Sequence, residues 1–208
     1  MKKPKIIAVF NTKGGVGKTL LSLALKKVIR YKSTKILYTD KDSDIENIAQ
    51  NTNDNSNINY FCIKDIKDVK KYHYKKTKYI IFDFSGTNIL DSNNIQYLSF
   101  LSTIVDFWII PTSISPTSAN IVNNILNIFE EYDAKKNVFV LKNELKNVNT
   151  IENIESIDNL IKEKNNLVLT LSNYVKFYKN IDHAGKSLYN SKSAKTVLKE
   201  IVSIVKQK

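Results

Sequence analysis

Short apolar runs alternate along this chain with segments in which leucine, isoleucine and valine recur every three to four residues. That alternation predicts strands and crossover helices taking turns, the pattern of βαβ units and a mostly parallel sheet. The apolar runs predict strands at Lys5–Phe10, Lys35–Thr39, Tyr79–Phe84, Asp106–Pro111, Asn137–Leu141 and Leu167–Leu171. Helical spacing predicts helices over Thr19–Tyr31, Ile121–Glu131 and Ser193–Val205, the last of them amphipathic. The asparagine-rich stretch Asn51–Asn59 predicts a surface loop, and no internal repeat interrupts the pattern. The expected fold class is α/β: a single doubly wound domain over residues 1–208, its mostly parallel central sheet flanked by helices.

Composition narrows this picture without changing it. A chain of 208 residues that is 42% hydrophobic is long enough for one well-buried α/β domain. It contains no run of about 18 apolar residues and no signal-peptide cleavage pattern ahead of Ile6, so a cytoplasmic protein is expected. Cys62 is the only cysteine, which excludes an intrachain disulfide framework, a cysteine-based zinc site and an iron–sulfur cluster. His73 and His183 are far apart and short of partners, which suits surface or structural roles. A formal net charge of +12 points to polyanions: DNA, RNA or an anionic membrane surface. Arg30 is the sole arginine, and the abundance of lysine, asparagine and isoleucine reflects a compositional bias. Such a bias would supply Asp and Glu as well, so the basic excess remains to be explained.

The candidate chemistry begins where the first strand runs into "FNTKGGVGKTLL", Phe10 to Leu21. Glycines between a strand and a helix, followed by Lys-Thr, form a phosphate-binding loop. Backbone N–H groups from Gly14, Gly15, Val16, Gly17, Lys18 and Thr19 would converge on phosphate oxygens, helped by the positive end of the helix. Lys18 would neutralise the β and γ phosphates, and the Thr19 hydroxyl would ligate Mg²⁺. Two features are unusual. The first glycine of the ordinary pattern is Thr12, and a second lysine, Lys13, stands five residues before Lys18.

A metal held on phosphates calls for an acid. In "KYIIFDFSG", Asp83 ends an apolar strand, where crevices open in doubly wound sheets, and it would orient Mg²⁺; a carboxylate capping the next turn would look the same. "TDKDSD" places Asp40 and Asp42 beyond the strand Lys35–Thr39, where one could help position the metal and the other polarise the attacking water. Solvated loop acids share that pattern.

These residues resemble a family. "KGGVGKT" with Lys13, the "DxD" of Asp40 and Asp42, and the strand-end Asp83 are similar to the deviant Walker A ATPases of the ParA/MinD superfamily. "FWIIPTSISPTSANIV" and "AGKSLYN" are similar to its later segments, and in length and layout the chain looks most like the small ParF-like plasmid partition ATPases. The resemblance implies ATP and Mg²⁺ as cofactors, with Lys18 and Thr19 on phosphate and metal, Asp40 and Asp83 serving the metal, and Asp42 assisting hydrolysis. It implies that Lys13 crosses a face-to-face homodimer to the partner's nucleotide, stabilising charge on the transferring phosphoryl group. It also puts adenine recognition beside Pro111 and near Asn143, and adds Leu20 to the phosphate-binding segment. The sequence departs from the family at three places: Leu20 stands where a second hydroxyl residue is common, Asp44 replaces the usual glutamine, and "DFSG" follows the apolar strand.

The resemblance further implies an ATP-bound dimer on nonspecific DNA, a centromere-binding partner protein that stimulates hydrolysis, and association with the nucleoid. Lys176, Lys179, Lys186, Lys192, Lys195 and Lys199 are the candidate DNA contacts, acting on phosphates without reading sequence. Tyr174, Phe177 and Tyr178 lie among them and fit the apolar face of a helix better than base stacking. The rival is a MinD-like membrane-positioning ATPase, because Val197, Leu198, Ile201, Val202, Ile204 and Val205 form an apolar stripe beside lysines. Any packed terminal helix would carry the same stripe, and this one lacks aromatic anchors, so a membrane partner is not expected.

Overall fold

The computed structural model describes residues 3–29, 33–39, 45, 60–62, 77–84, 99–113, 115–132, 137–143, 151–164 and 192–207. Among the described residues, six strands form one sheet: β1 (Lys5–Val9), β2 (Thr34–Tyr38), β3 (Tyr60–Cys62), β4 (Tyr79–Asp83), β5 (Phe107–Ser113) and β6 (Val138–Asn143). Their order is β3-β2-β4-β1-β5-β6, and every pairing is parallel. Four long helices are described: α1 (Lys18–Ile29), α2 (Pro116–Glu131), α3 (Ile151–Glu163) and α4 (Lys192–Gln207).

Both faces of the sheet are covered, which explains why its strands read as unbroken apolar runs. Ile6, Ala8, Phe82, Trp108 and Ile110 point to one side, where they pack with Val122, Leu126 and Phe129 of α2 and Ile157 and Leu160 of α3. Ile7, Val9, Ile81, Ile109 and Phe139 point to the other, against Leu21 and Leu25 of α1 and Val197, Leu198, Ile201 and Val205 of α4. The period-2 alternation is intact, but neither side is polar enough to reveal it.

The register brings the functional ends of the strands together. Val9 of β1 and Tyr38 of β2 both pair with Asp83 of β4, so three strands finish level. The chain leaves β1 for β2 on one side of the sheet and later crosses from β4 to β5 on the other. Strand ends at such a reversal bound the crevice in which ligands of open α/β sheets sit. The opposite edge is fastened by polar contacts: Ile6 N donates to Asp106 Oδ2 at 2.7 Å, and Lys5 Nζ donates to the Val205 carbonyl at 2.5 Å. Lys5 thereby satisfies one of the carbonyls that a helix C-terminus leaves without an intrahelical donor.

Several elements differ from their sequence expectation. Strand β3 was not anticipated, because three residues are too few to show a period. Strand β5 continues past Pro111 to Ser113; proline is tolerated there because β1 pairs with β5 only as far as Ile109. Helix α2 begins at Pro116, five residues before the expected start, with proline in the first turn where its missing N–H costs nothing. Its polar opening, Thr117 and Ser118, hid that turn. Helix α3 is absent from the sequence expectation, although Ile151, Ile154, Ile157, Leu160 and Ile161 follow helical spacing. The expected strand Leu167–Leu171 and the loop Asn51–Asn59 lie outside the described residues.

Candidate functional site

The loop between β1 and α1 is held at both ends by its neighbours. Phe10 N donates to the Ile109 carbonyl at 2.9 Å and extends the sheet contact by one residue. Leu21 N donates to the Gly17 carbonyl at 3.0 Å and starts the helical ladder. Between them, Gly15 has φ 71° and Gly17 has φ 90°, backbone that side-chain-bearing residues rarely adopt. A Cβ added at Gly14 or Gly15 would meet nothing within 4 Å. Crowding within the protein therefore does not select glycine at these two positions. At Gly15 the backbone angle does, and the open space above both residues admits a close ligand. The successive N–H groups of such a turn form an anion-binding concavity at the start of a helix.

Lys18, the first residue of α1, curls back so that its Nζ donates to the Lys13 carbonyl at 2.9 Å. Burial lowers its pKa from the ordinary lysine value, and the Asp83 carboxylate partly opposes that shift. The ammonium is thus held over the loop, poorly solvated and suited to an incoming anion.

Asp83 is 5% exposed and receives two hydroxyls from α1. Thr19 Oγ1 donates to Oδ2 at 2.8 Å, and Ser22 Oγ donates to Oδ1 at 3.2 Å. The adjacent hydroxyl and carboxylate oxygens of Thr19 and Asp83 are the hard donors that Mg²⁺ takes. Among the described residues no group of three or more His, Cys, Asp or Glu could hold a metal by itself. That donor set suits Mg²⁺, which commonly takes one or two protein oxygens and completes its shell with phosphates and water. The residues present therefore fit Mg²⁺ bound together with a nucleotide.

The other half of the loop is tied to β5. Asn11 is buried, its Nδ2 donating to the Pro111 carbonyl at 2.8 Å while its Oδ1 accepts from Lys13 N at 2.7 Å. One amide side chain thus continues the sheet where the β1–β5 ladder has ended and fixes the backbone of the second lysine. Lys13 Nζ reaches Ser113 Oγ at 3.1 Å and Ser115 Oγ at 3.4 Å. Ser118 joins those two hydroxyls at 2.9 Å and 2.6 Å.

Among the expected cofactor-binding residues, Gly14, Gly15, Val16, Gly17, Lys18 and Thr19 lie on this loop and the start of α1. The Leu20 side chain is buried in the core with Leu21 and Leu25, so only its backbone is left to face a phosphate. Pro111 meets the loop through its carbonyl. Asn143 ends β6 opposite Ser113, which puts its backbone at the same edge of the sheet as the loop. Asp40, Asp42, Lys176, Lys179 and Lys186 lie outside the described residues. Lys192, Lys195 and Lys199 belong to α4, with Lys199 exposed and Lys195 half-buried.

Sequence reasoning passed over Asn11, Ser22, Ser113, Ser115 and Ser118. Ser22 had a signal: it is the one polar residue within the buried run Leu20–Leu25, and a hydroxyl in such a place needs a partner. The others sit among polar neighbours and carry no pattern.

A profile of the CobQ/CobB/MinD/ParA nucleotide binding domain matches residues 7–200. No curated protein matches the sequence. Among solved structures, a putative plasmid partition protein from Borrelia burgdorferi B31 bound to AMPPNP superposes with a TM-score of 0.64 at 17% identity, over 99% of each chain. The MinD cell division protein of Aquifex aeolicus gives 0.63 at 15% identity, over 98% of this chain and 97% of that one. The pNOB8 ParA bound to nonspecific DNA gives 0.58 at 11% identity, over 98% of each. At these identities the likeness is one of fold: a parallel six-stranded sheet flanked by helices, carrying a phosphate loop.

Proposed function

Because the chain belongs to the CobQ/CobB/MinD/ParA nucleotide-binding domain family, we propose that it is a single-domain, Mg²⁺-dependent ATPase that segregates DNA. ATP binding makes it a homodimer, the dimer holds nonspecific DNA, and hydrolysis to ADP and phosphate releases it. The observation that carries this reading is a loop with two lysines in different settings: Lys18 held over the glycine turn and Lys13 reaching toward β5. Lys18 and the loop N–H groups take the β and γ phosphates, Thr19 and Asp83 hold Mg²⁺, and Asp40 and Asp42 complete metal and water positioning. Lys13 acts on the partner subunit's nucleotide, and Pro111 and Asn143 border the base.

DNA as the cargo is supported by the net charge of +12 and by a relative of the same fold that is described as bound to nonspecific DNA. A MinD-like role on membranes has less support. It would draw on the apolar stripe of α4, yet Val197, Leu198, Ile201, Val202 and Val205 are all packed into the core against α1. No helix among the described residues is long and apolar enough to cross a membrane. The remaining parts of the proposal, a centromere-binding protein that stimulates turnover and a nucleoid location in the cytoplasm, follow the resemblance of the sequence to partition ATPases.

The test is a titration of the ATP-loaded protein with nonspecific duplex DNA and with anionic liposomes at low and moderate salt. DNA binding that weakens steeply with salt is expected. Tight liposome binding without DNA binding would overturn the partition reading in favour of a membrane-positioning ATPase.

A further inference from the structure

Ser22 is fully buried in α1, flanked by Leu20, Leu21, Leu23, Ala24 and Leu25 that pack into the core beneath the sheet. A serine gains nothing from such a setting unless its hydroxyl is satisfied, and removing an alkyl group at a core position has its own cost. Its hydroxyl is directed at Asp83 Oδ1, 3.2 Å away. Thr19, one helical turn earlier on the same face, donates to Oδ2 of the same carboxylate at 2.8 Å. Residues three apart on a helix lie one above the other, so the two hydroxyls grip the two oxygens of a single side chain.

We propose that Ser22 is a positioning residue for the metal site: its hydroxyl holds Asp83 Oδ1 so that Oδ2 stays turned toward the hydroxyl of Thr19, and Asp83 and Thr19 are the two residues that would hold Mg²⁺. The inference rests on the nucleotide- and Mg²⁺-binding reading above and deepens it. A carboxylate at the end of a strand can rotate about its terminal torsion, and a donor on one oxygen restrains that torsion less than donors on both. A second donor on the far oxygen fixes it. Because the carboxylate is almost fully buried, water is poorly placed to substitute for the lost donor. Partners that orient a metal ligand without touching the metal are commonly worth about ten- to a hundredfold in affinity for the ion.

The experiment measures binding of a fluorescent ADP to the full chain as Mg²⁺ is titrated, for the wild type and S22A, together with binding in EDTA. S22A is expected to raise the Mg²⁺ concentration for half-saturation by about tenfold, while nucleotide affinity in EDTA stays as in the wild type. A merely structural serine would lower the melting temperature without moving the Mg²⁺ midpoint, and a folded S22A with an unchanged midpoint would overturn the proposal. Should S22A fail to fold, S22C keeps the volume but donates only weakly, and the same shift is expected of it. A wild type whose nucleotide binding ignores Mg²⁺ would instead overturn the metal-dependent reading of the site, and this inference with it.

Discussion

Lys18 and Lys13 sit five residues apart in one loop and are restrained in opposite ways. Lys18 is turned inward: it bonds the loop's own carbonyl at Lys13, lies near Asp83, and has its pKa lowered by burial. Lys13 is turned outward from the glycine turn, its ammonium on the hydroxyls of Ser113 and Ser115 at the junction of β5 and α2. The first lysine is poised over the place where its own subunit's phosphates would lie. The second is parked on neutral groups, whose hold on a cation is weaker than that of a carboxylate and easier to leave. One loop can therefore carry two cations with separate tasks, because the strands on either side of β1 present different chemistry: an acid from β4 and hydroxyls from β5.

Replacing the inward lysine should have the largest effect. K18A is expected to weaken ATP binding by about 3 kcal/mol, roughly a hundredfold in Kd, the scale of charged hydrogen bonds to phosphate. Calorimetric titration with a nonhydrolysable ATP analogue measures it, and an affinity within a few-fold of wild type would show that Lys18 does not contact the nucleotide. K13A should behave differently. Nucleotide affinity of the monomer should be retained, while ATP-dependent dimerisation, followed by sedimentation, should weaken by about 2 kcal/mol, roughly thirtyfold. If K13A lost nucleotide affinity as K18A does and dimerised normally, the division of labour between the two lysines would be gone.

The inward lysine was legible in the sequence for a reason that does not extend to the outward one's surroundings. Gly15 and Gly17 take positive φ and Lys18 and Thr19 open α1, and together they leave the contiguous signature of a phosphate-binding loop. Asp83 was legible because a lone acid at the end of an apolar run stands out. The contacts of Lys13 were not, because Ser113, Ser115 and Ser118 lie about a hundred residues away and only the β1–β5 pairing brings them to the loop. Asn11 was passed over for the same reason, since its task is to bond the Pro111 carbonyl where the ladder stops. In the fold, long apolar strands were visible. Strand β3 was too short, and α3, whose spacing was visible, carries acids and asparagines that diluted its signal.

The burial of Lys18 makes a pH prediction of modest size. Its pKa in the folded, nucleotide-free protein lies below the ordinary value of 10.5. Below the folded pKa the lysine is charged in both states and its desolvation cost is fully present. As pH rises through the folded pKa toward the unfolded one, the unfolded chain binds more protons, so this cost is relieved. K18M, which has no charge to desolvate, should therefore gain most in melting temperature over the wild type at neutral pH, and the gain should shrink toward pH 10. A difference independent of pH would mean that the lost Lys13 carbonyl contact, not the charge, governs the effect.

The smallest effect belongs to the parking place of the outward lysine. S113A removes the shorter of its two hydroxyl contacts, 3.1 Å from Lys13 Nζ, yet leaves Ser118 bonded to Ser115 at 2.6 Å, so no buried hydroxyl in the cluster is orphaned. If Lys13 leaves this place to reach the partner's nucleotide, the lost contact destabilises only the monomer. At about 0.5 kcal/mol in each of two subunits, ATP-dependent dimerisation should tighten by roughly fivefold. Sedimentation at several protein concentrations would resolve that change. Weaker dimerisation would mean that Ser113 still holds Lys13 in the dimer, and the outward lysine would then be a structural tie between the loop and β5 rather than a group that crosses to the other subunit.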